Sequence, residues 1–266
     1  MSDDYDLGGG PDPAAVAASE PEVDTGESDG RESVYAVGIG PGNPEYLTPR
    51  GARAIREADV VVGFETVVDF VREAIGSGSG SGSDSSDEID FLTCGYRDES
   101  ETLAAFADRV AGGATGTAVL MGDPNHSGYQ FAGKVQSAVD APVRVIPGIS
   151  SLQVAASRAR TPMEDATFVT LHKSGPIDAD LRRLRADAGE RHLLVLPRPF
   201  DWMPEDVGAD LVDAGADPAL RALVFERLTH DDESVTATTL GALAAESNDD
   251  VDSRFSDLSV LVVRAG

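Results

Sequence analysis

A loop with three glycines and two prolines follows the first apolar segment of this 266-residue chain, and it limits the folds that the chain can adopt. Apolar residues from Val34 to Gly38 predict a buried strand, and a helical pattern begins after Thr48. The residues between them include Gly38, Gly40, Pro41, Gly42 and Pro44. Glycines allow the backbone to approach a ligand closely, and prolines stiffen a loop. The segment predicts a ligand-binding loop or, alternatively, an ordinary strand-to-helix turn.

Two later strands also end in small or polar residues. The strand predicted at 117–121 stops at a Gly-Asp-Pro sequence, and the strand at 143–146 runs through Pro-Gly into two serines that begin a helical pattern. In open α/β sheets, ligands bind at the carboxyl ends of the strands, which is where the Gly-Asp-Pro loop lies. A dinucleotide-binding fingerprint is a poor description of the first loop, because Asn43 stands where its third glycine is needed.

The order of strand and helix patterns predicts two α/β domains. Strands and helices alternate over residues 33–147, which predicts a mainly parallel sheet sandwiched between helices. The pattern over residues 148–266 predicts a second α/β domain with a mixed sheet. Residues 1–32 are acidic and almost free of large apolar side chains, so we expect a disordered tail. Gly, Ser and Asp dominate residues 76–88, which predicts a flexible insertion on the surface of the first domain.

The loop G-x-G-P-G-x-P-x-x-L-T, followed in order by the two other strand ends, resembles the tetrapyrrole methylase family. These enzymes use S-adenosylmethionine to methylate corrin and porphyrin rings. The resemblance covers about residues 33 to 266. It implies two α/β domains with the active site in the cleft between them, S-adenosyl-L-methionine as the cofactor, a cobalt-containing corrinoid as the substrate and a homodimeric assembly.

The resemblance also implies a set of residues that bind the cofactor. They are Pro41, Gly122, Asp123, His126, Ser150, Ser151 and Leu196. His126 departs from the family, which usually has an apolar or small residue there. Asp123 could instead serve only in a turn, and the two serines could serve only as helix caps. Ala237 or Thr238 is a further candidate for contact with the cofactor.

Segments in the second half resemble the branch of the family that methylates C5 of cobalt-precorrin-7 in cobalamin (vitamin B12) biosynthesis. The resemblance rests on Gln153 in a Ser-Ser-x-Gln sequence and on a Leu-His pair that ends at His172. It implies substrate contacts from Gly42, Gln153 and Lys173. It also implies a catalytic His172, which could donate a hydrogen bond to the substrate or accept the proton lost on methylation. A solvated loop histidine is the alternative.

The substrate that the resemblance implies carries many carboxylates, so the cleft should offer cations. The candidates are Arg50, Arg97, Arg158, His172, Lys173 and Arg198. The family partner that methylates C15 with loss of carbon dioxide is sometimes fused behind this branch. The present sequence ends at Gly266, so we expect a separate protein to carry out that step.

The charge of the chain indicates its habitat more than its substrate. The formal net charge is −26, with 47 acidic residues, 30 of them aspartates, and only two lysines among 21 basic residues. This balance predicts a protein of a high-salt cytoplasm and argues against nucleic acid as a partner. The single cysteine, Cys94, fits a reducing compartment and is expected to be a buried small residue. No apolar run reaches the length of about 18 residues that a membrane span requires, and no signal-peptide pattern or metal-binding motif is present.

Other functions remain compatible with these residues. Within the family, the chain could methylate another ring position or act as a diphthine synthase on a protein substrate. Outside this class, it could be a regulatory module that binds S-adenosylmethionine without catalysis, since glycines and an aspartate explain binding and not transfer. Gln153 and His172 favour the corrin substrate.

We predict that the protein unfolds at low ionic strength. Thirty aspartates and two lysines leave strong self-repulsion, and salt at about 1 M reduces the Debye length to about 3 Å and screens it. Thermal unfolding followed by circular dichroism should give a melting temperature that rises steeply with potassium chloride. The same melting temperature at about 0.05 M and 2 M salt would contradict adaptation to high salt.

Overall fold

The structure, a computed structural model, describes residues 33–76, 89–95, 97–126, 128–173, 175–199, 201–248 and 252–266. The predicted acidic tail lies outside the described residues. So does the predicted insertion, except for Gly76, which is the last residue of a helix. The chain packs as two compact units that divide between Ile149 and Ser150.

The first unit contains one parallel sheet and the helices that connect its strands. Its elements are β1 (Val34–Gly38), α1 (Pro49–Arg56), β2 (Val60–Phe64), α2 (Glu65–Gly76), β3 (Asp90–Cys94), α3 (Glu99–Ala111), β4 (Gly116–Leu120), α4 (Tyr129–Ala138) and β5 (Val143–Ile146). The strand order is β3-β2-β4-β1-β5, and every pair is parallel. The predicted parallel α/β architecture is therefore confirmed.

Apolar side chains cover both faces of this sheet, as parallel sheets require. Alternate residues of each strand point to opposite faces, so Ala36 packs towards α3 and α4, whereas Val37 packs towards α1 and α2. Phe106 of α3 and Ile55 of α1 are fully buried in these two cores. The sheet is thus a rigid platform for the loops at its carboxyl-terminal edge.

The two central strands send their helices to opposite faces of the sheet. The helix that follows β1 is α1 and packs on one face, whereas the helix that follows β4 is α4 and packs on the other. Because β1 and β4 are neighbours, the chain leaves them towards opposite faces of the sheet, which in open α/β sheets places a ligand-binding crevice at the carboxyl ends of the two strands. Thr48 fixes the start of α1, since its Oγ1 accepts a hydrogen bond from the Gly51 nitrogen at 3.1 Å.

The second unit contains a mixed sheet. Its elements are α5 (Ser151–Ala159), β6 (Ala166–Thr170), α6 (Asp178–Asp187), β7 (His192–Leu196), α7 (Pro204–Asp213), β8 (Arg221–Glu226), β9 (Ser234–Thr239), α8 (Leu240–Ala244) and β10 (Ser259–Val263). The strand order is β6-β7-β10-β8-β9, in which only β6 and β7 are parallel. The predicted mixed sheet is confirmed.

Helices lie on both faces of the second sheet. The helix α5 packs on β7 and β10, whereas α6, α7 and α8 share a buried core with the opposite face. Since β8 and β7 both run antiparallel to β10, the carboxyl ends of β6, β7 and β8 lie at the same edge.

Candidate functional site

The loops that follow β1, β4 and β5 meet through the backbone of three glycines. A Cβ atom built on Gly148 would lie 2.1 Å from the carbonyl oxygen of Gly122 and 2.8 Å from that of Gly38. A Cβ atom on Gly38 would lie 2.6 Å from both the Gly122 oxygen and the Gly148 nitrogen. Carbon atoms do not approach backbone atoms this closely, so only glycine allows the three loops to pack together.

A short backbone pairing joins the loop after β1 to the loop after β4. The Gly40 nitrogen donates to the Gly122 oxygen at 3.2 Å, and the Gly122 nitrogen donates to the Gly40 oxygen at 2.8 Å. Both residues have positive φ, +88° and +65°, which glycine adopts without strain. A Cβ atom on Gly122 would have no heavy atom within 4 Å, so the backbone here faces open space. Ligand atoms can approach it at this point.

Both carboxylate oxygens of Asp123 bind backbone nitrogens. Oδ1 accepts a hydrogen bond from Asn125 at 2.8 Å, and Oδ2 accepts one from Gly148 at 3.0 Å. The first bond forms the turn that the sequence left open as an alternative, and the second ties the β4 loop to the β5 loop. A carboxylate has lone pairs for further donors, so contact of Asp123 with the cofactor stays a prediction.

The first unit brings five of the predicted site residues onto two adjacent loops. Pro41 is buried and Gly42 is half-buried in the loop after β1. Gly122, Asp123 and His126 lie in the loop after β4, where the His126 nitrogen donates to the Asp123 carbonyl at 2.9 Å. Their predicted roles in binding cofactor or substrate are compatible with this placement and stay predictions.

Ser150 and Gln153 form a capping box at the start of α5. Ser150 Oγ accepts a hydrogen bond from the Leu152 nitrogen at 3.2 Å, and Gln153 Oε1 accepts one from the Ser150 nitrogen at 2.8 Å. Ser151 is the first helical residue and is half-buried. The Ser-Ser-x-Gln sequence therefore has a structural explanation, whether or not these side chains also contact ligands.

Leu196 and the Leu171-His172-Lys173 segment lie together at the carboxyl ends of β6 and β7. The Leu171 nitrogen donates to the Leu196 carbonyl at 2.8 Å, and the Lys173 nitrogen donates to the Leu171 carbonyl at 2.8 Å. The Leu196 carbonyl is thus already engaged in the sheet. Its predicted contact with the cofactor stays a prediction.

Ala237 and Thr238 are not brought close to Leu196. They lie in β9, and the strands β10 and β8 separate β9 from β7. Three strand spacings amount to about 14 Å, so these residues do not share a contact with Leu196. The sequence pattern could not show this, because it gives the order of strands along the chain and not across the sheet.

Burial lowers the pKa of His172 below its ordinary value, and the nearby carboxylate of Asp257 opposes this shift. Near pH 7 the imidazole is therefore neutral, because desolvation disfavours the charged form. His172 is thus not one of the cations that the sequence suggested. A neutral imidazole can accept a proton or a hydrogen bond, which suits the predicted catalytic role.

Carboxylates of the same unit form ion pairs with three of the six predicted substrate-binding cations. The pairs are Lys173–Asp180, Arg158–Glu233 and Arg198–Asp201. Arg50 differs from them, because it is exposed near the start of α1 and forms no ion pair within the part of the chain that the structure describes. Arg50 can therefore still accept a substrate carboxylate.

Sequence reasoning did not name Gly148 as a site residue, although it contacts both other loops. The sequence contains a feature that could have indicated a loop residue of this kind, because a Pro-Gly pair directly follows a strand. Only the strand order reveals its role, because β5 lies beside β1 in space and not in sequence.

Cys94 is a structural residue, as the sequence predicted. Burial, helped by the charges of Glu99 and Asp98, raises the pKa of its thiol to about 12, and its Sγ lies 3.5 Å from the Gly63 carbonyl oxygen. Among the residues described, no group of three or more His, Cys, Asp or Glu side chains is arranged to hold a metal ion. In the same part of the chain, the helices are all too short or too polar to cross a membrane.

Comparison with known proteins identifies the family. The profile of the tetrapyrrole (corrin/porphyrin) methylases matches residues 33–244. The probable cobalt-precorrin-7 C(5)-methyltransferase of Methanocaldococcus jannaschii is 27% identical over 211 residues, which are 79% of this chain and 91% of that protein. The chain therefore belongs to the tetrapyrrole methylases, a family of methyltransferases that use S-adenosylmethionine.

Solved structures confirm the fold. The methyltransferase CobJ has a TM-score of 0.66 at 19% identity, over 88% of this chain and 94% of that one. The uroporphyrin-III C-methyltransferase of Thermus thermophilus, complexed with S-adenosyl homocysteine, has a TM-score of 0.59 at 21% identity, over 87% of this chain and 92% of that one. The two α/β units predicted from the sequence are those of this fold.

We predict that Gly148→Ala destabilises the first unit. Its methyl group would overlap the Gly122 carbonyl, and overpacking of this kind costs about 1–3 kcal/mol. Gly76→Ala is the control, because a Cβ atom there has no heavy atom within 4 Å and alanine is the better helix former. Chemical denaturation should show a lower midpoint for Gly148→Ala only. Equal midpoints for both variants would show that the three loops are not packed in this way.

We predict that His172 makes the protein less stable in mild acid. Its folded pKa is lowered, so between that value and the ordinary value of about 6.5 the unfolded state binds more protons. The free energy of unfolding should therefore fall as the pH drops below about 6.5. His172→Gln lacks the titrating group and should show a flatter dependence between pH 7.5 and 5. Identical pH profiles for the two proteins would contradict burial of the imidazole.

Proposed function

We propose that this protein is an S-adenosylmethionine-dependent C-methyltransferase of cobalamin biosynthesis that methylates C5 of cobalt-precorrin-7. The observation that carries the proposal is the match to nearly the whole length of the Methanocaldococcus jannaschii protein. Gln153 and the Leu-His pair at His172, which resemble the same branch, support it.

The loops after β1 and β4 fit the proposed cofactor. Methyl transfer to carbon is a displacement in which the protein chiefly positions the reactants. The sulfonium of S-adenosylmethionine supplies an electrophilic methyl group. The paired backbone of Gly40 and Gly122 leaves open space beside Gly122, and the Asp123 carboxylate next to it can accept hydrogen bonds from hydroxyl or ammonium groups.

His172 is suited to take the proton that the ring loses. Burial favours the neutral imidazole, which can accept a proton, and the Asp257 charge stabilises the imidazolium that forms. On this proposal, His172 acts in turnover and contributes nothing to cofactor affinity.

Arg50 is suited to receive a carboxylate of the corrin ring. Its guanidinium offers a fork of N–H donors that matches a carboxylate, and within the described residues it pairs with no acidic side chain. We therefore assign it, in place of the paired Lys173, as the first candidate for substrate recognition.

We predict that the enzyme transfers a single methyl group to C5. The protein, with S-adenosylmethionine carrying a ¹³C-methyl group, is incubated in molar salt with cobalt-precorrin-7, and the product is examined by ¹³C NMR. His172→Gln should lower turnover about tenfold or more, which is on the order of 1.4 kcal/mol, with unchanged cofactor affinity. A ¹³C label at another ring carbon would contradict methylation at C5. Cofactor binding without methyl transfer would contradict the proposal that the protein is an enzyme.

A matched pair of glycine variants tests the cofactor loop in the same assay. Gly122 and Gly113 both have positive φ and open space around a Cβ atom, so alanine strains both. Gly113 lies between α3 and β4, at the opposite edge of the sheet. Only Gly122→Ala should weaken cofactor binding. Equal affinities in the two variants would remove the Gly122 loop from the cofactor site.

A further inference from the structure

A cavity of about 360 Å³ lies in the second unit, at the edge of the sheet opposite to Leu196 and His172. The amino end of β8 and the carboxyl end of β10 form this edge, whereas β6 and β7 end at the other. The cavity is lined by Asp217, Ala219, Leu220, Arg221, Arg264, Ala265 and Gly266. None of them belongs to the proposed methyl-transfer site.

Two arginines face each other across neighbouring strands in this cavity. The Arg264 nitrogen donates to the Arg221 carbonyl at 2.9 Å, and the adjacent pair is Val263 opposite Ala222. Residues directly opposite in an antiparallel pair point to the same face, and both side chains line the cavity. Like charges in this position repel each other and destabilise the sheet.

No carboxylate among the described residues neutralises these two arginines. Eleven other arginine and lysine side chains of the described residues form ion pairs. By contrast, Arg264 Nε is buried and has no hydrogen-bond acceptor within the same residues. Asp217 also lines the cavity, but it pairs with neither arginine and its Oδ1 accepts from the Ala219 nitrogen at 2.8 Å. A buried cationic donor without an acceptor is costly.

The segment that carries Arg264 is held in place from the other side. The Ala265 nitrogen donates to Nδ1 of His192, at the start of β7, at 2.9 Å. On the side of β8, the backbone hydrogen bond from Arg264 to Arg221 continues the pairing of β10 with β8. The backbone that carries the two guanidinium groups is thus hydrogen-bonded on both sides.

We propose that this cavity binds an oxyanion, a phosphate or carboxylate group of a small molecule, between Arg221 and Arg264. Guanidinium groups bind such oxygens through paired N–H donors, and a shared anion converts the repulsion between the two arginines into attraction. This site is separate from the proposed methyl transfer and does not depend on it.

The test is thermal unfolding of the full chain at constant ionic strength, with potassium chloride replaced stepwise by potassium phosphate or potassium succinate. Specific binding to the folded state raises the melting temperature in a saturable way. Arg221→Gln and Arg264→Gln should each weaken the apparent affinity about tenfold or more. Arg182→Gln on α6 is the control, because Arg182 is exposed, its Nε bonds only a backbone carbonyl, and the charge change is the same.

Each outcome decides the proposal. The proposal is supported if phosphate, succinate or both stabilise the wild type and the control but not the two cavity variants. The anion that stabilises them identifies the chemistry of the ligand. An equal response of all four proteins is a general salt effect and overturns it. Without oxyanion, Arg221→Gln should melt no lower than the wild type, because it removes repulsion. If Arg264→Gln does not fold, Arg221→Gln alone decides, and a wild-type oxyanion response in that variant overturns the proposal.

Discussion

The close contact among the backbones of Gly38, Gly122 and Gly148 is the constraint on which the first unit depends. Three parallel strands end at this point, and their loops can meet only because none of the three residues has a side chain. The hydrogen bonds between Gly40 and Gly122 then fix the two loops that border the crevice. Since α1 and α4 leave on opposite faces of the sheet, the proposed cofactor loops lie at the point where open α/β sheets bind their ligands.

Several residues of the proposed site also hold the fold together. Asp123 ties two loops through its carboxylate, and Ser150 and Gln153 cap a helix. A substitution at these positions therefore alters stability and ligand binding together, and a loss of activity alone does not distinguish the two roles. Substitutions at His172 and Gly122 separate the two roles better. The His172 variant is expected to lose turnover while its cofactor affinity stays constant, and the Gly122 variant has a matched control at Gly113.

Arginines that form no ion pair are the candidates for anion binding in this chain. The chain has a net charge of −26, and nine of its described arginines form ion pairs. Arg50 at the start of α1 and the facing pair Arg221 and Arg264 are among the described arginines that form none. The first supports recognition of an acidic substrate, and the second supports a separate oxyanion site.

The sequence by itself determined the elements, the parallel first sheet, the mixed second sheet and the family, because apolar periodicity and the Gly-Pro loop are local patterns. It located the strand ends that carry Pro41, Gly122, Asp123 and Ser150. It could not determine strand order, and so it missed Gly148 as a partner of Gly38. Nor could it show that His172 is neutral or that Lys173 is paired. Those properties depend on burial and on neighbours distant in sequence, and only the tertiary structure brings them together.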